Sequence, residues 1–214
     1  MPETGAERTG TVVSPFSSAS FCRILVEEGV ARTYQLPAEF RHMVGRVTAD
    51  QTVPQLKVFL ENGGRVVTIG SSTSLAGYLG LPVSSQLVER TTAGAERPLA
   101  REKFYIPASL LEVAVDTSAM SARGLEDNAI VMFNSSPVLK LGPGAAGIKR
   151  VAWYSSDRPL RSGWAMGQGY LKDGIAAAEA QVGKGTLYLF GPEITFRSQP
   201  HGTYKFLFNA LYGR

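Results

Sequence analysis

Residues 66–80 read Val-Val-Thr-Ile-Gly-Ser-Ser-Thr-Ser-Leu-Ala-Gly-Tyr-Leu-Gly, a buried apolar run, a Gly/Ser turn and the start of a helix. A strand that turns this abruptly into a helix is where α/β proteins present a nucleophile or cradle a phosphate. The spacing fits neither device well. A hydrolase elbow calls for Gly-x-Ser-x-Gly, and the row here is Gly70-Ser71-Ser72-Thr73-Ser74. Neither Gly-x-Gly-x-x-Gly nor a lysine-bearing phosphate loop is present. Serines that cap a helix beginning near Ser74, worth ~1 kcal/mol, account for the turn without any chemistry.

Outward from this corner, "VPQLKVFLENGG" sets Val53, Leu56, Phe59 and Leu60 at helical spacing, with Thr52 as N-cap and Gly63-Gly64 as terminator. "RVVTIG" (65–70) is nearly continuous in apolar residues, the pattern of a strand covered on both faces in a parallel sheet. Helix, strand and helix in this order predict a layered α/β domain. Residues 82–109 are turn-rich and read as an insertion over the surface, whereas 110–116 alternate as a half-buried strand does. Further strands are expected within 129–141, broken by "NSSP", and within 148–156. Two more flank the "VGKG" turn of 174–191. The chain closes on an apolar helix carrying Tyr204, Phe206, Leu207, Phe208 and Leu211. Toward the start, strands are expected at 11–14 and 31–36, with an amphipathic helix at 18–29. Residues 37–52 are irregular, and 1–10 form a polar, disordered lead-in to a domain spanning 11–214.

Composition narrows the function classes. Apolar residues make up 44% of the 214, sufficient for one core, and no apolar run approaches the ~20 residues of a membrane helix. A net charge of +4, with Lys and Arg scattered among acids, gives no nucleic-acid stripe. Cys22 is the single cysteine, so no internal disulfide can form, and its apolar neighbours suit a buried structural thiol. With two histidines, His42 and His201, and no second cysteine, a three-ligand zinc site is not expected, and no other cofactor is called for.

Three groups of residues could carry function. Ser71 or Ser72 as nucleophile, His201 as base and Glu193 or Asp157 as orienter would make a small serine-type hydrolase. Glu193, Arg197, Gln199 and His201 follow the carboxyl end of a strand, where α/β domains place ligands, or else fix the loop before the last helix. Trp153, Asp157, Arg161 and Trp164 lie in "VAWYSSDRPLRSGWAMGQGYL" (151–171), an aromatic and guanidinium-rich stretch suited to a sugar, peptide or protein surface. Trp153 suits the core, and Trp164, among glycines, an exposed contact.

The strings "GRVTADQTVPQLKVFLENGGRVVTIGSSTSLAGYLGLPV", "PLAREKFYIPASLLEVAVD", "VAWYSSDRPLRSGWAMGQGYL" and "VGKGTLYLFGPEITFRSQPHGTYKFLFNALY" resemble the region that follows the catalytic domain in bacterial zinc carboxypeptidase-like proteins. That region is similar to a class I glutamine-amidotransferase-like domain, and the resemblance spans about residues 37–213. It implies a three-layer flavodoxin-like α/β sheet, here with an antiparallel extension from the 110–141 and 174–191 strands. Such a sheet calls for a strand before the "VPQL" helix, and 37–52 carries none. The resemblance also implies an upstream peptidase domain as partner and a periplasmic or secreted parent; a homo-oligomer is a further option that rests on no motif. Amidotransferases place a cysteine at the elbow with a later His-x-Glu. Here the elbow reads "IGSSTS", and Glu193 and His201 lack that spacing. The carboxypeptidase His-x-x-Glu is missing too, so the resemblance implies an accessory domain without activity of its own.

Overall fold

The structure is a computed structural model that describes residues 48–213, Ala93 excepted. The strands and helix expected before residue 37, the lead-in, Cys22 and His42 lie outside the described residues.

Helix α1 (Thr52–Glu61) begins one turn after its real cap. Thr48, not Thr52, does the capping: its Oγ1 accepts the Gln51 N–H at 3.2 Å, and its own N–H donates to Thr52 Oγ1 at 3.1 Å. The helix stops at Gly63, whose φ of +100° suits the left-handed turn that ends it. Val53 and Leu60 are buried, but Phe59 is exposed. Its ring lies over Gly64, where an added Cβ would sit 2.3 Å from Phe59 Cε1, so it covers backbone rather than entering the core.

Strand β1 (Arg65–Ile69) runs into a 3-10 turn (Gly70–Ser74) and the short helix α2 (Leu75–Tyr78). The 82–109 segment holds β2 (Val83–Ser85), β3 (Val88–Arg90) and β4 (Glu96–Pro98), of which β3 and β4 form a separate two-stranded hairpin. Then come β5 (Ser109–Val115), β6 (Asn128–Phe133), β7 (Leu139–Leu141), β8 (Ile148–Trp153) and β9 (Leu160–Ser162). Strands β10 (Ile175–Val182) and β11 (Gly185–Phe190) precede α3 (Tyr204–Tyr212).

Nine of these strands make one mixed sheet, in the order β1-β11-β10-β8-β5-β6, with β7 also on β10, β2 on β7 and β9 on β5. Only β1 and β11 pair in parallel among the described strands; every other pairing is antiparallel. This corrects two expectations. The sheet is not the parallel one of a flavodoxin, and the 174–191 strands are its centre rather than an extension. The physical reason is that β10 and β11 are joined by a two-residue turn, with Val182 opposite Gly185, and so tight a link permits only antiparallel pairing. β1 has β11 alone beside it among the described strands.

The expected layering of helices on both faces does hold. Leu187 and Leu189 of β11 pack with Val53, Leu60 and Leu75 from α1 and α2. Tyr188 and Phe190 point the other way, into a larger core with Phe206, Leu207 and Ala210 of α3. Alternation along one strand thus feeds two cores, as a sheet sandwiched between helices requires.

Tyr154, just after β8, is fully buried with its ring edge-on to Phe133 at 6.2 Å. Its hydroxyl has no hydrogen-bond partner among the described residues. Burial pushes the phenol far above its ordinary pKa, so it stays neutral. A buried unpaired hydroxyl costs roughly 1–3 kcal/mol. Tyr154→Phe is therefore expected to keep the ring packing and gain about 1 kcal/mol in urea denaturation. A loss of similar size would mean that the hydroxyl has a partner.

Candidate functional site

The elbow is built from β1 and locked by its own side chains. Ser72 is fully buried, and its hydroxyl both accepts the Ile69 N–H at 2.8 Å and donates to the Ile69 carbonyl at 2.7 Å. Thr73 donates to the Gly70 carbonyl at 2.8 Å. The expected serine cap is Ser72, which satisfies the Ile69 N–H at the head of the turn, while Ser74 makes no side-chain capping bond. Gly70 sits at φ +61°, and a Cβ there would lie 3.2 Å from Glu193 Oε1. The glycine leaves room for a buried carboxylate directly against the turn.

Glu193 is held by the strand end opposite, its N–H donating to the Met132 carbonyl at 3.0 Å. The fold thus brings Glu193 to the elbow from far along the chain. It does not join His201 to it by a hydrogen bond: among the described residues neither Ser71 nor Ser72 bonds to that ring. His201 is exposed, 5.9 Å from the Tyr204 ring, at the head of the turn that starts α3. That turn is fixed instead by buried Thr203, which donates toward the Ile194 carbonyl at 2.6 Å and the Pro200 carbonyl at 2.8 Å. Arg197 is exposed in a left-handed conformation, φ +42°, with its guanidinium 5.4 Å from the Phe196 ring. Gln199 is exposed in the same loop.

The aromatic candidates separate. Trp153 is half-buried at the end of β8, its ring covered by the Arg150 guanidinium at 3.8 Å. Arg161 is paired with Glu112 across β9 and β5, Nη2 to Oε2 at 2.7 Å, and Asp157 is exposed in the preceding loop. Trp164 is 52% exposed. Its backbone is pinned at both ends by Ser109, which accepts the Trp164 N–H at 3.0 Å and donates to the Trp164 carbonyl at 2.8 Å. Tyr105 lies 5.8 Å from the Trp164 ring and carries the Arg101 guanidinium 4.2 Å above its own. Arg101 and Tyr105 escaped the sequence reading because the turn-rich composition of 82–109 gave no signal that the segment returns to Trp164. Among the described residues no group of three His, Cys, Asp or Glu side chains could hold a metal ion. No described helix is long and apolar enough to cross a membrane.

No protein-family model and no curated protein matches the chain. Solved structures do resemble it. A β-galactosidase from Bacillus circulans sp. alkalophilus is 12% identical at a TM-score of 0.46, over 75% of this chain and 20% of that one. PurLQS from Thermotoga maritima is 12% identical at 0.45, over 74% of this chain and 66% of the other. A ThuA-like protein from Parabacteroides merdae is 10% identical at 0.45, over 77% and 65%. The chain thus spans about a fifth of the length of the galactosidase. Likeness at this level says nothing of activity.

Ser72→Ala tests the lock. It removes both Ser72 hydroxyl bonds to Ile69 in a buried turn, and a loss of roughly 1–3 kcal/mol is expected in thermal or urea melts. Ser71→Ala, at a half-buried side chain with no such bonds, is expected to stay within about 0.5 kcal/mol of the parent.

Proposed function

We propose that the chain is an accessory domain without catalytic activity, of class I glutamine-amidotransferase-like kind, in a zinc carboxypeptidase-like protein, where it positions substrate or holds the assembly together. The observation that carries the reading is the Ser72 hydroxyl, turned inward onto Ile69 at the place where the related fold keeps a reactive thiol. An oxygen engaged as donor and acceptor with its own backbone, and fully buried, has no route to a substrate carbonyl. The amidotransferase and carboxypeptidase parts of the reading rest on the sequence strings quoted above.

The test uses the complete gene product from which this chain comes. Removal of residues 48–214 should leave release of C-terminal residues from peptides intact, with KM raised roughly tenfold and kcat little changed. An unchanged KM with an unchanged state of assembly overturns the accessory role, and a gene product without carboxypeptidase activity overturns the parent. Ester hydrolysis by the chain itself, abolished by Ser71→Ala, would move the assignment to a serine hydrolase. A second reading, a carbohydrate- or peptide-binding module, is favoured by one observation, the half-exposed Trp164 ring backed by Tyr105. Trp164→Ala would weaken such binding without unfolding the chain.

A further inference from the structure

A cleft of about 430 Å³ opens between three segments of the chain. The β3–β4 hairpin contributes Arg90 and Glu96, β7 contributes Lys140, and the turn before β10 contributes Tyr170 and Lys172. Its size falls in the range of small-molecule sites, ~300–1,000 Å³. The segments are fixed to one another by backbone. The Gln86 N–H donates to the Val138 carbonyl at 2.8 Å, which sets the hairpin's first strand beside β7. Gly174 leaves no space for a side chain, since a Cβ there would lie 2.4 Å from Val138 Cγ1 and 3.2 Å from Gln86 Cγ. The Lys172 N–H closes its own turn on the Gly169 carbonyl at 3.3 Å.

The charges in this cleft are unbalanced. Lys140 and Lys172 are exposed and make no ion pair or hydrogen bond through their side chains among the described residues. Arg90 has Glu96 as its acid, at a loose 3.8 Å. Three cations therefore face one carboxylate. The other acid of the hairpin, Glu89, is bound to Arg97 at 2.8 Å and to Lys103, with its pKa held down by both. Tyr170, 47% exposed, adds a ring face to the same wall.

We propose that this cleft binds a small organic anion carrying at least two negative charges, its charged groups between Lys140, Lys172 and Arg90 and its carbon skeleton against Tyr170. Two lysines and an arginine lining one cleft from separate elements match spread carboxylate or phosphate oxygens better than a single charge. No residue of the elbow lines the site, and the proposal does not depend on the accessory-domain reading.

Citrate, glucose 6-phosphate, glucose and sodium acetate, titrated into the whole chain by calorimetry at low salt, test the proposal. Citrate or glucose 6-phosphate should bind at about millimolar concentration or better, and glucose and acetate at least tenfold more weakly. Which of the two anions is tighter distinguishes a carboxylate from a phosphate ligand, and either result supports the site. Lys140→Ala with Lys172→Ala should weaken binding roughly tenfold or more, whereas Lys149→Ala, a lysine on β8 that pairs with Asp116 at 3.3 Å, should not. Melting curves show that each variant is folded. Failure of both anions to bind, or equal loss in the Lys149 variant, overturns the proposal.

Discussion

Phe190→Ala is expected to destabilise the chain by about 3–5 kcal/mol. Phe190 ends β11, is fully buried, and stands where the sheet meets α3. Its ring is 5.6 Å from Phe206 of that helix and 6.4 Å from Tyr188, to which it is nearly parallel. Deleting it removes apolar burial and leaves a cavity that two other rings would have to fill by moving the helix. Phe208→Ala is the control: it lies on the same helix, but its ring is 55% exposed and stacks only on Tyr212. Urea denaturation should separate the two by several kcal/mol. Comparable midpoints would show that α3 is not held to the sheet through this cluster.

The same strand shows what the sequence could and could not reveal. Gly183-Lys184 between two apolar alternations announces a hairpin, because few residues tolerate the backbone angles of so short a turn. The 109–115 strand was equally open to reading, with buried Ser109, Leu111, Val113 and Val115 alternating against less buried neighbours. Strand direction was not. A run such as Val66-Val67-Thr68-Ile69 is apolar enough to be covered on both faces whichever way its neighbour runs, so composition could not tell a parallel sheet from this largely antiparallel one. Long-range placement was hidden for the same reason. Nothing in the residues around Glu193 indicates that its carboxylate comes to rest on Gly70. The cations of the cleft come from three segments, none of which is a motif alone. Local capping was misplaced by one turn, Thr48 for Thr52, since both are threonines within reach of the helix start.

Gly185→Ala is expected to cost about 3 kcal/mol, close to the limit of what a single methyl group does by overpacking. Gly185 opens β11, and its φ is not of the left-handed kind, so alanine meets no backbone strain there. The obstacle is proximity: an added Cβ would sit 2.2 Å from the Gly64 carbonyl oxygen and 2.3 Å from that of Leu60. Both are backbone atoms at the end of α1, and Thr186 next door donates its N–H to the same Gly64 carbonyl at 3.1 Å. Neither oxygen can retreat without breaking the helix end or the first pairing of β11 with β1. The glycines of "VGKG" therefore serve two ends, the hairpin turn and the seat of α1 on the sheet, with Gly183 also tight against Glu61 Cα at 2.6 Å. Gly77→Ala supplies the contrast, since it lies within α2 and a Cβ there meets nothing within 4 Å. That change should be neutral or stabilising by up to about 1 kcal/mol. Thermal melts of the two variants should differ by roughly 6–16 °C, at 2–4 °C per kcal/mol for a chain of this size. A Gly185→Ala protein that melts with the parent would mean that α1 does not rest on the hairpin as the structure has it.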